Sequence, residues 1–231
     1  MSRNATRLAL LALVGTAAPA LAQILNASFE TGLAYPSGLS IFSAGTPTPW
    51  VPTSYTPDLY DNTGADGWGI GGIPAYDFMF KGMVACQGDR FIGFAASPAF
   101  GGINESFAQT TAPLNGGQSY TLSVCMAVDD LGKAVPYGGP YFGRGEVDVL
   151  LNGNLIGTFS QNTASLTWES RSITFLAPNS LPATFEFVAQ LEPGTMHASY
   201  MALDDFRLVP APGSLALLAL GGLAAAHRRR A

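Results

Sequence analysis

Charge is scarce in this chain: only 12% of its 231 residues are Asp, Glu, Lys or Arg, about half the usual share in soluble domains. Histidine is scarcer still, with two in all and only His197 between residues 23 and 209. That excludes a histidine-based triad and a multi-histidine metal centre there, and leaves His197 as a surface residue. No Gly-x-Ser-x-Gly elbow and no Walker loop occurs. The stretch "GWGIGG" at 67–72 matches Gly-x-Gly-x-x-Gly formally. Pro74 follows it and no βαβ pattern surrounds it, so it reads as a loop. The chain also lacks an internal repeat, a low-complexity linker and an apolar run as long as a membrane-spanning helix.

Turn formers and aromatics are abundant: 27 Gly, 16 Pro and 11% aromatic residues. Together with many small polar residues they favour a single all-β domain. The first 22 residues stand apart. Arg3 and Arg7 precede an apolar stretch from Leu8 to Val14, and Ala20-Leu21-Ala22 forms a small-x-small cleavage site. This is the pattern of a secretory signal peptide, with Gln23 as the first residue of the exported chain. Residues 23–209 then carry sixteen carboxylates against six cations, a net charge of −10. Such a surface excludes nucleic acid as a partner and suits cations and neutral polymers. Export also exposes Cys86 and Cys125 to an oxidising compartment. Alternation puts Cys125 on the polar face of its strand, where it can reach a partner. A bridge closing about 40 residues contributes about 4 kcal/mol in the chain-entropy model. A disulfide and two buried free thiols both remain open.

At the other end, Leu215 to Ala226 is a short apolar run followed by Arg228, Arg229 and Arg230. Twelve helical residues span only about 18 Å, short of a hydrocarbon core of about 30 Å. As a transient membrane segment it makes sense, because the arginines hold the end in the cytoplasm. The order Pro210-x-Pro212-Gly, apolar segment, arginine cluster resembles the PEP-CTERM sorting signal of exported bacterial proteins. That resemblance covers the last 22 residues. It implies an exosortase-like partner that removes the tail at the membrane during delivery to the cell surface or matrix. The signal's central glutamate is Ala211 here, which leaves a plain membrane anchor as the alternative.

Between these ends, period-two patterning dominates. "SYTLSVCMAV" sets Tyr120, Leu122, Val124, Met126 and Val128 on one face. "EVDVLLNGNLIGTF" holds Asn152-Gly153 between two such runs, the signal for a type I′ hairpin. "SITFL" and "ATFEFVAQ" alternate likewise, and "SYMALDDFRLV" aligns Tyr200, Ala202, Asp204, Phe206 and Leu208. With "ILNASFE", "RFIGFAA" and "ESFAQTT" the count approaches nine strands, and an antiparallel jelly-roll β-sandwich is the economical arrangement. Residues 33–82, rich in Pro and Gly, form a long irregular insert of the kind that is often functional.

"NASFETG" near residue 26 and "YMALDDFRL" near residue 200 resemble the ends of galactose-binding-domain-like sandwiches, common in bacterial carbohydrate-binding modules. "GDRFIGF", "ESFAQTTAPLNGGQSYTLSV" and "LTWESRSITFLAP" follow in the expected order, so the likeness runs over residues 24–209. It implies a non-catalytic, exported surface or matrix domain that binds carbohydrate or packs against matrix components. A secreted hydrolase or lyase of polysaccharide and a purely structural adhesion domain are the alternatives. Carboxylates are plentiful, but no spacing singles out a catalytic pair.

The aromatics of the insert are the candidate ligand platform. Trp50, Tyr55, Tyr60 and Trp68 can stack on sugar rings while Asp58, Asp61, Asn62 and Asp66 accept hydroxyl protons. The alternative is that these rings plug the sandwich beneath the insert. The resemblance further implies a structural Ca²⁺ held by Glu30 and Asp204 with carbonyls near Gly32. Strict alternation would place Asp204 among Phe206 and Leu208, where a carboxylate needs a partner; the alternative to the ion is that it accepts backbone N–H bonds or pairs with Arg207 or another cation.

Overall fold

The computed structural model describes residues 23–31, 39–41, 48–62, 80, 83–98, 102–129, 134–135, 139–140, 144–161, 165–191 and 198–211. The signal peptide, Gly32, Asp66, Trp68, His197, Pro212 and the arginines at 228–230 lie outside them. Strands account for most of the described residues. In chain order they are β1 (Leu39–Ile41), β2 (Val51–Ser54), β3 (Asp58–Asp61), β4 (Arg90–Ser97), β5 (Ile103–Asn104), β6 (Ser106–Pro113) and β7 (Ser119–Val128). Then come β8 (Ala134–Val135), β9 (Gly139–Pro140), β10 (Gly145–Leu151), β11 (Asn154–Gln161), β12 (Ser165–Leu176), β13 (Pro182–Gln190) and β14 (Ser199–Pro210). No helix among the described residues is long and apolar enough to cross a membrane.

Two antiparallel sheets face each other. The larger runs β1-β3-β4-β14-β7-β12 with β5 attached to β4, and the smaller runs β11-β10-β13-β6-β2. Their inner faces carry the alternating apolar residues: Leu122, Val124 and Met126 from β7 meet Val147, Val149, Phe185 and Phe187 from the smaller sheet. The β10–β11 hairpin turns at Asn152 and Gly153, both at positive φ (51° and 79°), which is the type I′ geometry of the Asn-Gly pair. At the open side of the sandwich, the Arg171 guanidinium on β12 donates to the Ser160 carbonyl on β11 at 2.6 Å.

Residues 33–82, read as an irregular insert, contribute the strands β1, β2 and β3. Two further segments depart from the sequence reading. "ILNASFE" is a turn rather than a strand. Asn26 and Phe29 take positive φ, and the Asn26 side chain accepts from Thr31 N–H while donating to the Thr31 and Thr48 carbonyls. The turn drops Phe29, fully buried, into the core. Gln109 supplies what a neighbouring strand would, donating to the Leu25 carbonyl and accepting its N–H. The second departure is in β14, whose register on β7 shifts between Asp204 and Arg207, with Asp205 at φ 50°. This bulge inserts one residue and reverses the alternation. Phe206 and Leu208 therefore join the inter-sheet core, whereas Asp204 faces outward, opposite Cys125.

A second apolar cluster lies on the outer face of the larger sheet. Tyr60, Phe91 and Tyr200 pack there with Phe80 and Met83, above the small residues Ala95, Ala127 and Ala202. Gly93 makes this possible: a Cβ there would sit 2.6 Å from the Tyr60 ring and 2.8 Å from the Phe80 ring.

Candidate functional site

Of the ligand platform read from the sequence, Trp50 and Tyr60 are interior residues rather than exposed rings. Trp50 is fully buried, its ring 4.9 Å from Phe206 and 5.2 Å from Phe29. Its indole N–H donates to the Asn26 carbonyl at 2.9 Å. It is a core residue because it immediately follows the 48–50 turn and points between the sheets. Tyr60 is also buried, at 2% exposure, stacked on Phe91 at 5.2 Å. Tyr55 is exposed, with its hydroxyl donating to the Gly102 carbonyl at 3.2 Å. Asp61 closes β3 opposite Arg90.

Asp58 is where the outer face becomes chemically unusual. It is half-buried and stands on β3 opposite Gly93, so its carboxyl points into the aromatic cluster. Tyr200 donates to Asp58 Oδ2 at 2.8 Å, and the Tyr200 and Tyr60 hydroxyls lie 3.0 Å apart. Burial raises the Asp58 pKa from 3.8 to about 7, against the lowering effect of the Tyr200 bond. Glu105, preceding β6, accepts from Ala95 N–H at 2.7 Å and from the Thr56 backbone. Burial, and then the nearby charge of Asp58, hold its pKa well above the ordinary carboxylate range. Both phenols are pushed well above their ordinary value by the same burial and by the Asp58 charge. The arrangement is a pair of interacting carboxyls, one of them half-buried with its pKa raised to about 7, joined to a tyrosine chain. Such a group can give or take a proton at physiological pH.

No residue spacing marks Asp58, Glu105 and Tyr200 as partners, because they come from β3, the β5–β6 junction and β14, far apart in the sequence. One signal was present. Outer positions of β4, β7 and β14 are Gly93, Ala95, Ala127 and Ala202 rather than the polar residues of a solvated face. Small apolar residues there mean that something bulky lies above them, and the aromatic cluster does.

Asp204 and Glu30 both bond to the backbone of the turn at 86–90. Asp204 Oδ2 accepts from Gln87 N–H at 2.8 Å and Oδ1 from Asp205 N–H at 2.7 Å, and the Cys86 backbone also bonds to this carboxylate. Glu30 Oε1 accepts from Asp89 and Arg90 N–H, each at 2.9 Å. Burial nonetheless raises the Asp204 pKa to about 7. Arg207 pairs with Asp205, not Asp204. Both Asp204 oxygens and Glu30 Oε1 thus accept backbone N–H groups, which is the alternative to a cation as partner for these carboxylates. Beside them Cys86 and Cys125 are joined in a disulfide, so their sulfurs are not available as metal ligands.

No protein-family model matches the chain, and no curated protein matches it. Solved structures do. The Stig cyclase FisC from Fischerella sp. TAU, in complex with (3Z)-3-(1-methyl-2-pyrrolidinylidene)-3H-indole, is similar at a TM-score of 0.53 and 18% identity, covering 84% of this chain and 98% of the cyclase. A cyclase from the same organism, in complex with 4-(1H-indol-3-yl)butan-2-one, gives 0.52 and 18% over the same shares. The carbohydrate-binding module TmCBM61 with β-1,4-galactotriose gives 0.46 and 14%, over 82% of this chain and 99% of the module. The fold class is thus an antiparallel jelly-roll β-sandwich, a fold shared with these cyclases. The expectation of a non-catalytic domain is corrected by this comparison: the same sandwich occurs in cyclases, so the fold gives no ground for excluding catalysis.

Proposed function

We propose that the chain is an exported acid–base enzyme of cell-surface carbohydrate, with Asp58 as its proton-transferring group. The observation that carries this reading is the half-buried Asp58 carboxyl, its pKa near 7, hydrogen-bonded to Tyr200. Protonated, it can donate to a glycosidic oxygen and retain the resulting charge as the bond breaks. Glu105 is fixed by backbone N–H groups, and its ionisation is opposed by burial and by the Asp58 charge. Tyr55 offers the exposed ring face for a sugar. The signal peptide and the arginine-ended tail supply the route: export, transient membrane retention and release by an exosortase-like enzyme at the surface.

The test uses the chain harvested from the cell surface, where intact mass should show that the apolar run after Pro212 is gone. Incubated with the producing cell's exopolysaccharide, it should release new reducing ends with a pH dependence centred near 7, and Asp58→Asn should abolish release. Conversion of 4-(1H-indol-3-yl)butan-2-one without sugar release would overturn the carbohydrate assignment.

Calcium at the 86–90 turn, held by Glu30 and Asp204, is the accompanying structural proposal. Excess Ca²⁺ over chelator should raise the Tm by roughly 5–10 °C if the ion is present at about 100 times its Kd. Asp204→Ala should remove the rise, and equal Tm values in Ca²⁺ and chelator would dispose of the site.

A further inference from the structure

The connection from β3 to β4 begins and ends on one side of the larger sheet, yet its described part is fastened two strands away. In the order β4-β14-β7, the Phe80 N–H donates to Asp129, next to the end of β7, at 2.6 Å. Cys86 is bonded to Cys125 of β7. Val84 accepts from the Trp168 indole of β12 at 2.7 Å. Phe80 and residues 83–87 therefore lie above β14 as a roof. The Phe80 ring lies 5.1 Å from Tyr200 and 5.3 Å from Tyr60, the two phenols of the Asp58 chain. Without the roof, those rings would face water and the Asp58 carboxyl would lose its apolar surroundings.

Of these fastenings only the disulfide is covalent, and it depends on redox environment. The rest of the fastening is non-covalent: the Asp129 and Trp168 hydrogen bonds, the Asp204 bonds to Gln87 N–H and the Cys86 backbone, and the packing of Phe80 and Met83 into the outer apolar cluster. We infer that the Cys86–Cys125 bond assembles the acid–tyrosine site, closing the roof only after the chain reaches an oxidising compartment. The step is thiol–disulfide exchange: both thiols lose their protons, one S–S bond forms between them, and an oxidant disulfide is reduced to two thiols. Before export the chain is reduced, the roof is free and the site is unformed. This inference rests on the outer face being the ligand site. The clip itself can be tested separately.

Hydrogen exchange is compared for the oxidised full chain, the chain reduced with dithiothreitol, and Cys86→Ser/Cys125→Ser. Reduction should speed exchange at the amides of Phe80, Met83, Ala85 and Gln87 by at least about tenfold, with those of β7 and β14 residues 122–128 and 200–203 unchanged. The serine variant should behave like the reduced chain. Roof amides that stay protected after reduction would overturn the clip, and so would uniform loss of protection across the whole sandwich. Sugar release is then read on the same samples. Release lost on reduction, with a freed roof, supports both the clip and the site. A freed roof with undiminished release refutes control of the site by the clip and leaves the carbohydrate activity standing. A freed roof with no release in the oxidised chain refutes the activity and leaves the clip standing.

Discussion

Trp50→Ala should cost the domain about 3–5 kcal/mol, the range for deleting a large buried aromatic, and lower its Tm by roughly 10–15 °C. The ring is fully buried and touches Phe29, Phe107, Phe187 and Phe206, which come from the 24–31 turn and both sheets. Truncation leaves a cavity where these four rings meet. It also strips the Asn26 carbonyl of its indole donor, loosening the turn that carries Phe29 and Glu30. Trp50→Phe separates the two effects: it keeps most of the packing and loses only the hydrogen bond, at about 1–2 kcal/mol. Differential scanning calorimetry of the three proteins decides the matter. A Tm unchanged in Trp50→Ala, together with lost sugar binding, would return Trp50 to the ligand platform.

That the sequence left Trp50 between a ligand platform and a ring plugging the sandwich shows where one-dimensional reading ends. Regular alternation is a local property, so the inner face of β7 and the Asn152-Gly153 hairpin were both legible. Trp50 sits in a segment with no periodicity, and its burial follows from the turn at 48–50 and from Asn26, 24 residues away. The β14 bulge defeats alternation differently. One left-handed residue, Asp205, reverses the faces of everything after it, and Asp-Asp-Phe carries no mark of that beyond the known tolerance of Asp for positive φ. The acid–tyrosine site was hidden for a third reason. Asp58, Glu105 and Tyr200 are 47 or more positions apart in sequence, and only the β3-β4-β14 pairing and the β5–β6 turn bring them together. What the sequence did carry was the row of small residues beneath the aromatic cluster.

Asp58→Asn is expected to make the domain more stable while it abolishes sugar release. The folded carboxyl has its pKa raised from 3.8 to about 7, chiefly by burial. In the fold the protonated form is therefore favoured, and its contribution is complete below about pH 4. As pH rises from about 4 to about 7 the unfolded chain ionises and the folded one resists, so that contribution is lost; above about pH 7 the penalty is constant. A displacement of about three pKa units corresponds to about 4 kcal/mol at pH 8, and an asparagine does not incur it. Asparagine is nearly isosteric and can still accept from the Tyr200 hydroxyl through its amide oxygen. The variant and the native chain should thus unfold with equal stability at pH 3.5. At pH 8 the variant should melt roughly 10 °C higher. Urea unfolding at the two pH values measures the difference directly. Equal stability at pH 8, or a less stable variant, would show that Asp58 is ionised and well accommodated in the fold, and the acid–base role would fall with it. A gain in stability coupled to loss of turnover is the signature of a group kept in unfavourable surroundings for its chemistry. A carboxyl that served only packing would show the first effect without the second.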